Sequence, residues 1–175
     1  MQTRHNTQAL NDIANYISGY VDGEGCFCVS FSYRPRNIKL GWEIRPSFAV
    51  AQNFDRREVL DLIQDYFGCG FMRRDYGDKT LKFEVRRIDD LIEKVIPHFE
   101  KHPLISSKQM DFLLFAEICR MIKDQKHLSP DGAAKIIELS YRMNGSGKRK
   151  YSLEDMISMI NSGEDIVSAP MKIGE

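Results

Sequence analysis

Two acidic residues separated by glycine close the segment over residues 16–25, and they are the first candidates for chemistry. Asp22 and Glu24 alternate with Gly23 and Gly25 after a run that is mostly apolar or small. Because glycine adopts positive φ at low cost, a helix can end here and hold a carboxylate at its C-terminus. The helix macrodipole disfavours an acid at that end, and a bound cation offsets this cost. The pattern therefore predicts a cation site, unless the segment is only an amphipathic helix with a glycine C-cap.

Small residues precede the acids within the same segment. Ser18 and Gly19 stand side by side, and small residues on a helix let a second backbone approach closely. We expect this first helix to begin at Asn11 or Asp12, either of which can serve as an N-cap, and to run to about Val21.

Four segments are predicted to be strands, three of them from alternating apolar and polar residues that would bury one face, and the third in chain order, which precedes a turn at 76–78, from its place before that turn. They cover residues 26–34, 43–50, 70–75 and 80–86. A segment with helical spacing at 57–67 lies between the second and third strands, and Gly68 is its predicted C-cap. The order helix, strand, strand, helix, strand, strand predicts an α+β protein whose antiparallel sheet has one buried and one exposed face.

The second half of the chain is predicted to be helical. A helix from Asp89 to Val95 is expected to end or kink near Pro97. Three further helices are expected over about 107–126, 130–144 and 153–160, with caps from Ser106 or Ser107, from Ser129 and from Ser152.

Length and composition fit one intracellular domain. We expect residues 1–175 to form a single domain with its core at about 10–155, and 156–175 to hold a helix end and a tail. No apolar run approaches the roughly 20 residues of a membrane span, and the N-terminus lacks a signal-peptide core. The four cysteines form no CxxC pair, which argues against a zinc site or disulfide framework and fits a reducing compartment.

The net charge gives no global attraction to nucleic acid, because 25 basic residues balance 25 acidic ones. The distribution is uneven, however, since residues 26–87 hold 12 Lys or Arg against 8 Asp or Glu. Attraction to phosphates depends on the face presented rather than on the total charge. The predicted strand region therefore remains a candidate nucleic-acid surface.

Residues 17–25 resemble, place by place, the nine-residue LAGLIDADG motif of the homing endonucleases, with Glu24 in place of the final Asp. Three later segments resemble the same family in order and spacing: 48–57, 97–112 and 143–150. Gln52 and Arg56 match the polar and basic residues that border the family's active site. Lys108 matches its catalytic-pocket lysine, although a shift of the alignment would place Lys101 there. Together the resemblance covers about residues 10–155.

The resemblance implies the αββαββα fold of this family, in which a concave four-stranded antiparallel sheet lies along DNA, backed by helices and followed here by additional C-terminal helices. It implies an intron-encoded, site-specific double-strand DNA endonuclease that acts by metal-dependent phosphodiester hydrolysis. One motif per chain supplies one metal-binding acid, so cutting both strands requires a homodimer and a long, near-palindromic target. The residues implied at the dimer interface are Ile17, Ser18, Gly19 and Val21.

The resemblance also implies the metal ligands. Glu24 matches the metal-binding acid of the family, and Gly23 is expected to add its carbonyl oxygen. Asp22 either binds the metal at longer range or only stabilises the helix end. Mg²⁺ is the expected ion, because it prefers carboxylate oxygens and keeps several waters; Mn²⁺ or Ca²⁺ would substitute in binding. The implied catalytic pocket, which orders water and stabilises charge on the phosphate, comprises Glu24, Gln52, Arg56 and Lys108.

Outward strand side chains and the basic loop at 143–150 are expected to contact the DNA. These residues are Cys28, Ser30, Ser32, Arg34, Arg36, Glu43, Arg45, Ser47, Arg73, Asp75, Lys82, Glu84, Arg86, Ser146, Lys148 and Lys150. The basic and hydroxyl side chains suit guanine edges, phosphates and several bases, whereas the acids either accept from cytosine or brace the arginines. A face that contains acids should rely less on counterion release and more on direct readout.

Two other functions remain open from the sequence. The chain could be a binding-only relative on the same fold, either an RNA-splicing maturase or a DNA-binding regulator, or a structural α+β protein that binds neither DNA nor metal. His98 and His102 have the spacing of a helical metal pair, but flanking prolines and the lack of an HExxH pattern argue against zinc. We expect neither a membrane partner nor a small-molecule substrate. Bacterial cytoplasm and an organelle, mitochondrion or chloroplast, are both open as compartments.

Overall fold

A computed structural model describes residues 2–34, 36, 40–77, 79–145 and 149–162, with side chains from residue 11 to residue 160. Helix α1 (Gln2–Glu24) leads directly into strand β1 (Gly25–Tyr33), and the chain continues through β2 (Trp42–Asn53), a 3-10 turn (Phe54–Arg56), α2 (Glu58–Phe67), β3 (Phe71–Asp75) and β4 (Thr80–Val85). The second half contains α3 (Ile88–Asp90), a π-helical turn (Leu91–Val95), α4 (Ile96–Lys101), α5 (Lys108–Lys123), a 3-10 turn (Lys126–Leu128), α6 (Pro130–Tyr141) and α7 (Leu153–Ser162).

The four strands form one antiparallel sheet in the order β1-β2-β4-β3. The first strand pair starts immediately after the motif helix, because Gly25 lies opposite Val50. A Cβ on Gly25 would lie 2.5 Å from a methyl carbon of Val21, so only glycine allows this abrupt change from helix to strand. The predicted αββαββα order of an α+β fold is confirmed.

The core lies between one face of the sheet and the helices. Along β2 every second residue is buried, from Trp42 to Val50, as the alternation predicted. The rings of Phe27, Phe99, Phe112 and Phe115 pack around one another, with Phe27 centred 5.3–5.4 Å from the other three. Aromatic pairs at such distances add to the stabilisation from burial alone. This core fixes α1, the sheet and α5 relative to one another.

Several helix boundaries differ from the sequence prediction. Helix α1 runs past Val21 to Glu24, and α6 ends at Tyr141 rather than at about 144. Helix α1 begins at Gln2 rather than at Asn11 or Asp12, because residues 2–10 contain no proline or glycine that would interrupt a helix. Helix α5 ends at Lys123 rather than at about Lys126, since Gln125 adopts a left-handed conformation with φ of 59°.

Pro97 does not end the helical segment, which was one of the two predicted outcomes. The backbone stays helical from Ile88 to Lys101, and a π-helical turn (Leu91–Val95) precedes the proline. A wider turn leaves room for a residue that has no N–H and whose ring would otherwise meet the preceding carbonyls.

The predicted serine caps are present in part. Ser129 accepts from the N–H of Gly132 (3.2 Å), and Ser152 accepts from the N–H of Asp155 (3.0 Å). All four cysteines lie in the described part of the chain and are free thiols. Within the same residues, no helix combines the length and the apolar character needed to cross a bilayer.

Candidate active site and strand surface

The end of α1 exposes Glu24. Its side chain is exposed, and among the described residues it has no hydrogen-bond or ion-pair partner. Gly23 beside it is also exposed, and a Cβ there would meet nothing within 4 Å. A carboxylate that is accessible and uncompensated at a helix C-terminus is disfavoured by the helix dipole unless a cation joins it.

Lys108 brings a positive charge to the same helix end. Its Nζ donates to the backbone carbonyl oxygens of Val21 (3.0 Å), Gly23 (3.3 Å) and Gly25 (2.6 Å). Cations on the last carbonyls of a helix compensate the negative end of its dipole. Lys101, the alternative candidate, is exposed at the end of α4 and has no partner among the described residues. The fold therefore brings Lys108, and not Lys101, to the end of the motif helix.

Asp22 differs from Glu24 because its carboxylate is already occupied. It accepts from the backbone N–H groups of Ile105 (3.1 Å) and Ser106 (3.0 Å) and from the Ser106 hydroxyl. Burial would raise the pKa of Asp22, but the bonds from Ser106 and Ile105 and the charge of Lys108 outweigh it, so the pKa is lowered.

Gln52 lies where β2 ends, close to the last turn of α1. Its Nε2 donates to the Tyr20 hydroxyl, and its Oε1 accepts from the N–H of Asn53 (2.7 Å). Arg56 follows in the adjacent 3-10 turn, where it is exposed and has no partner among the described residues. Tyr20 itself was not predicted, although its place within the motif was the available signal.

These residues fit a cation that takes only a few ligands from the protein. The described residues contain no cluster of three or more His, Cys, Asp or Glu able to hold a metal. One uncompensated carboxylate, Glu24, and one nearby carbonyl, Gly23, suit a hard ion such as Mg²⁺ that retains waters and binds substrate phosphates. The arrangement does not suit a closed structural zinc site, which needs four protein ligands.

The prediction that Ile17 and Val21 line a dimer interface is wrong for this fold. Both side chains are completely buried in the chain's own core, and Ser18 is buried as well. The Ser18 hydroxyl donates to the carbonyl of His102 (2.7 Å) and lies 3.2 Å from His98 Nε2, so it is committed within the chain. Gly19 alone among the four predicted residues is exposed, and a Cβ there would meet nothing within 4 Å.

The strand register places the predicted outward residues on one face of the sheet. Cross-strand neighbours share a face, and the pairs Cys28–Ser47, Ser30–Arg45 and Ser32–Glu43 join β1 to β2. At the other edge of the sheet, and on the same face, Arg73 on β3 lies opposite Lys82 on β4. The described residues thus form a continuous polar surface opposite the core.

The acids on this face pair with its basic residues. Glu43 forms ion pairs with Arg34 (2.8 Å) and Arg45 (3.5 Å), and Arg45 also donates to the Ser32 hydroxyl (3.1 Å). The hypothesis that an acid here braces the arginines therefore describes Glu43, because its carboxylate orients two guanidinium groups.

Glu84 is the strongest case of bracing, because it lies on the outward face as predicted and is nevertheless buried there. It is only 6% exposed, because Arg86 binds both of its oxygens (2.8 Å each) and Arg73 lies at 3.5 Å. Asp75 similarly lies 3.7 Å from Lys82. The acids of the face are therefore held by neighbouring cations.

Of the four remaining predicted contacts, the structure describes two. Arg36 lies between β1 and β2, and Lys150 is exposed near the Tyr151 ring. Ser146 and Lys148 lie outside the described residues. Arg149, which was not predicted, donates to the carbonyls of Ser140 (2.7 Å) and Met143 (2.8 Å) and therefore closes the end of α6.

Comparisons with known proteins agree with this geometry. A family model described as LAGLIDADG endonuclease matches residues 17–119. The chain is 34% identical to a Neurospora crassa protein described as probable intron-encoded endonuclease 2, over 131 residues that are 74% of this chain and 29% of that protein. The chain spans about a quarter of the length of the first three curated relatives and half of the fourth.

Two solved structures share the fold over most of their length. The homing endonuclease I-TnaI is 34% identical, with a TM-score of 0.73 over 85% of this chain and 96% of that one. The archaeal intron-encoded homing endonuclease I-Vdi141I, solved in complex with DNA, is 29% identical, with a TM-score of 0.79 over 87% and 96%.

Proposed function

This chain belongs to the LAGLIDADG endonuclease family, and we propose that it cuts both strands of a specific DNA site as a homodimer with the help of a divalent metal ion. The observation that carries this proposal is the pair of charged groups at the end of α1. Glu24 is exposed without a partner, and the Lys108 ammonium lies against the carbonyls on either side of it. A metal-binding acid and a fixed positive charge can together stabilise the charge that develops when a phosphodiester is hydrolysed.

Glu24 and the carbonyl of Gly23 are the protein groups that would hold the ion. Enzymes of this family generally depend on a divalent metal ion. Mg²⁺ supplies charge neutralisation at the attacked phosphate and an activated water, and Mn²⁺ or Ca²⁺ would replace it in binding. The bond from Lys108 to Gly23 is the longest of its three (3.3 Å), so the Gly23 carbonyl is the one of the three that would be most available to a metal.

Lys108, Gln52 and Arg56 would act directly on the substrate. The ammonium of Lys108 and the guanidinium of Arg56 carry positive charge toward the phosphate, where negative charge develops during attack. Gln52, whose amide is oriented by Tyr20, would position the water. Preorganised groups of this kind lower the barrier because they need not reorient during the reaction.

One chain offers one such acid, and the two strands of a duplex need two. We therefore propose that residues 1–175 act as one domain and that two copies meet through the exposed face of α1 around Gly19. Two-fold symmetry predicts a near-palindromic target. Because the Neurospora relative is described as intron-encoded, we propose the same origin for this gene, in a bacterial cytoplasm or an organelle.

The proposal is tested by incubating a randomised duplex library with the protein and Mg²⁺. The wild type is expected to cut one long, near-palindromic site, whereas Glu24→Gln, which loses the carboxylate, is expected to bind without cutting. Glu117→Gln is the matched control, because Glu117 is exposed on α5 and has no partner in the described residues. If the wild type binds one site selectively without cutting it, a maturase or regulator replaces this proposal. If the wild type neither binds nor cuts DNA, the chain is a structural protein.

A further inference from the structure

Of the two acids in the motif over residues 17–25, Asp22 is the one to which the proposed cleavage chemistry gives no role. Its Oδ2 accepts from the backbone N–H groups of Ile105 (3.1 Å) and Ser106 (3.0 Å), and its Oδ1 accepts from the Ser106 hydroxyl. A carboxylate has about four acceptor positions, and three of them are filled here by one short segment. Glu24, two residues later, has no partner among the described residues. The two acids are therefore in different chemical situations.

The hydrogen bonds continue from Asp22 to Lys108. The Ser106 hydroxyl donates to Asp22, and its oxygen accepts from the backbone N–H of Lys108 (3.1 Å), the first residue of α5. The Lys108 ammonium then returns to α1 by donating to the carbonyl of Val21 and to those of both glycines that flank Glu24. The bonds form a closed ring that starts and ends on the last turn of α1. Both ends of Lys108, its backbone and its charged group, are held by this ring.

We propose that Asp22 is a positioning residue that acts through Ser106 to hold Lys108 at the end of the motif helix, and that it does not bind the metal. The inference rests on the proposed function only in giving Lys108 a role in cleavage, since the ring is a feature of the fold. A metal on Asp22 would compete with three donors, and releasing them would free the start of α5. The Glu24 carboxylate accepts no such bonds among the described residues, so a metal bound to it would displace none from the carboxylate itself.

Measuring metal binding distinguishes a positioning role of Asp22 from a role as a metal ligand. Calorimetric titration with Ca²⁺ is carried out on the protein bound to the duplex that the library selects. Asp22→Ala is expected to bind Ca²⁺ with an affinity within about twofold of the wild type, a difference of a few tenths of a kcal/mol. Glu24→Gln is expected to lose that binding. A loss in Asp22→Ala equal to that in Glu24→Gln would overturn the proposal.

Cleavage kinetics test the action through Ser106. Asp22→Ala and Ser106→Ala are each expected to slow single-turnover cleavage on the order of 100-fold, because Lys108 is misplaced, while DNA affinity is unchanged. The double variant is expected to be no slower than the slower single variant, and Ser106→Thr, which keeps the hydroxyl, is expected to restore cleavage. Ser107→Ala is the control, since this exposed neighbour has no side-chain bond in the described residues. Additive losses, or a normal rate in Ser106→Ala, would overturn the proposal.

A measurement without metal or DNA keeps this inference separate from the proposed function. Urea unfolding of the wild type, Asp22→Ala, Ser106→Ala and the double variant forms a cycle in which residues of one network are expected to be non-additive. Failure of the wild type to cut any duplex would overturn the proposed function. Strict additivity in this unfolding cycle would overturn the ring through which Asp22 is proposed to act.

Discussion

At the scale of single residues, His98 connects the motif helix to the helices behind it. Because the Ser18 hydroxyl donates to the carbonyl of His102, its oxygen accepts from His98 Nε2–H, and Tyr66 must then donate to Nδ1 (3.0 Å). The imidazole is buried, neutral and bonded at both nitrogens, as buried polar groups in folded proteins generally are. This arrangement explains why a serine of the motif faces inward rather than toward a second chain.

The site of His98 predicts a specific loss of stability in acid. Burial, and secondarily the charge of His102, lower the pKa of His98 from 6.5 to about 4. Between these values the unfolded chain binds a proton that the folded chain does not, so the free energy of unfolding falls as the pH drops. The full shift corresponds to about 3 kcal/mol. Urea unfolding at several pH values between 7 and 4 is expected to show this loss in the wild type.

The matched comparison for this prediction is His98→Gln. Its amide can donate toward Ser18 and accept from Tyr66, but it does not titrate. We expect it to be less stable than the wild type at neutral pH and to lose about 3 kcal/mol less on acidification. Equal losses in both proteins would show that other groups carry the acid sensitivity.

At the scale of secondary-structure elements, α1 divides its surface between two tasks. Ala14, Ile17, Ser18 and Val21 are buried in the chain's own core. The opposite side presents Asn15, Tyr16, Gly19 and Gly23 to the solvent, with Tyr16 52% exposed. A helix face with glycines and open space above them allows a close approach of another backbone.

Gly19→Leu tests whether this face joins two copies. Gly19 is exposed and a Cβ there would meet nothing within 4 Å in a single chain, and leucine forms helices better than glycine by about 1 kcal/mol, so the monomer should fold at least as stably. In the dimer the side chain would hold the two helices apart. Sedimentation equilibrium is expected to show a monomer where the wild type is a dimer. Glu117→Leu, which adds the same side chain to exposed α5, should remain dimeric, and an unchanged dimer in Gly19→Leu would exclude this interface.

Among the secondary-structure elements, the buried faces of the strands were predictable from the sequence, whereas the contacts of α1 were not. The alternation in β1, β2 and β4 predicted their buried faces, because a period of two admits only one register with the core. The resemblance favoured Lys108 and left Lys101 as the alternative. The residue pattern alone could not exclude Lys101, since the choice depends on the turn over 102–107, whose path is set by bonds to Asp22. The inward direction of Ile17 and Val21 was equally invisible. Apolar residues such as these are expected on a helix face whether that face packs against the chain's own core or against a second chain.

Glu84 shows a second limit of sequence reasoning. Its parity along β4 correctly put it opposite the core, but its burial comes from Arg73 on β3 and Arg86 beyond the strand end. Alternation reports the face on which a residue lies and contains no information about its cross-strand neighbours.

At the scale of the whole molecule, neutral net charge and a DNA-binding role are compatible. The chain has 25 basic and 25 acidic residues, and on the strand surface the acids are paired with arginines and a lysine. Pairing lowers the number of cations that are free to release counterions from phosphates. It also fixes the guanidinium groups, which favours recognition of particular bases over general attraction.

The consequence is that removing one braced acid should increase binding to DNA in general. In Glu84→Gln, Arg73 and Arg86 lose their shared counter-charge and become available to phosphates. We expect tighter binding to random-sequence duplex, and a plot of log affinity against log salt that is steeper by about one to two, since each phosphate contact contributes about 0.9. Fluorescence anisotropy at several KCl concentrations measures both the affinity and this slope.

The preference for the selected site over random duplex should fall, because the cognate contacts gain less than the non-cognate ones. Glu117→Gln changes the net charge equally but lies on α5, so it should leave the slope unchanged. An equal slope in Glu84→Gln and the wild type would show that Glu84 does not hold these arginines back from DNA.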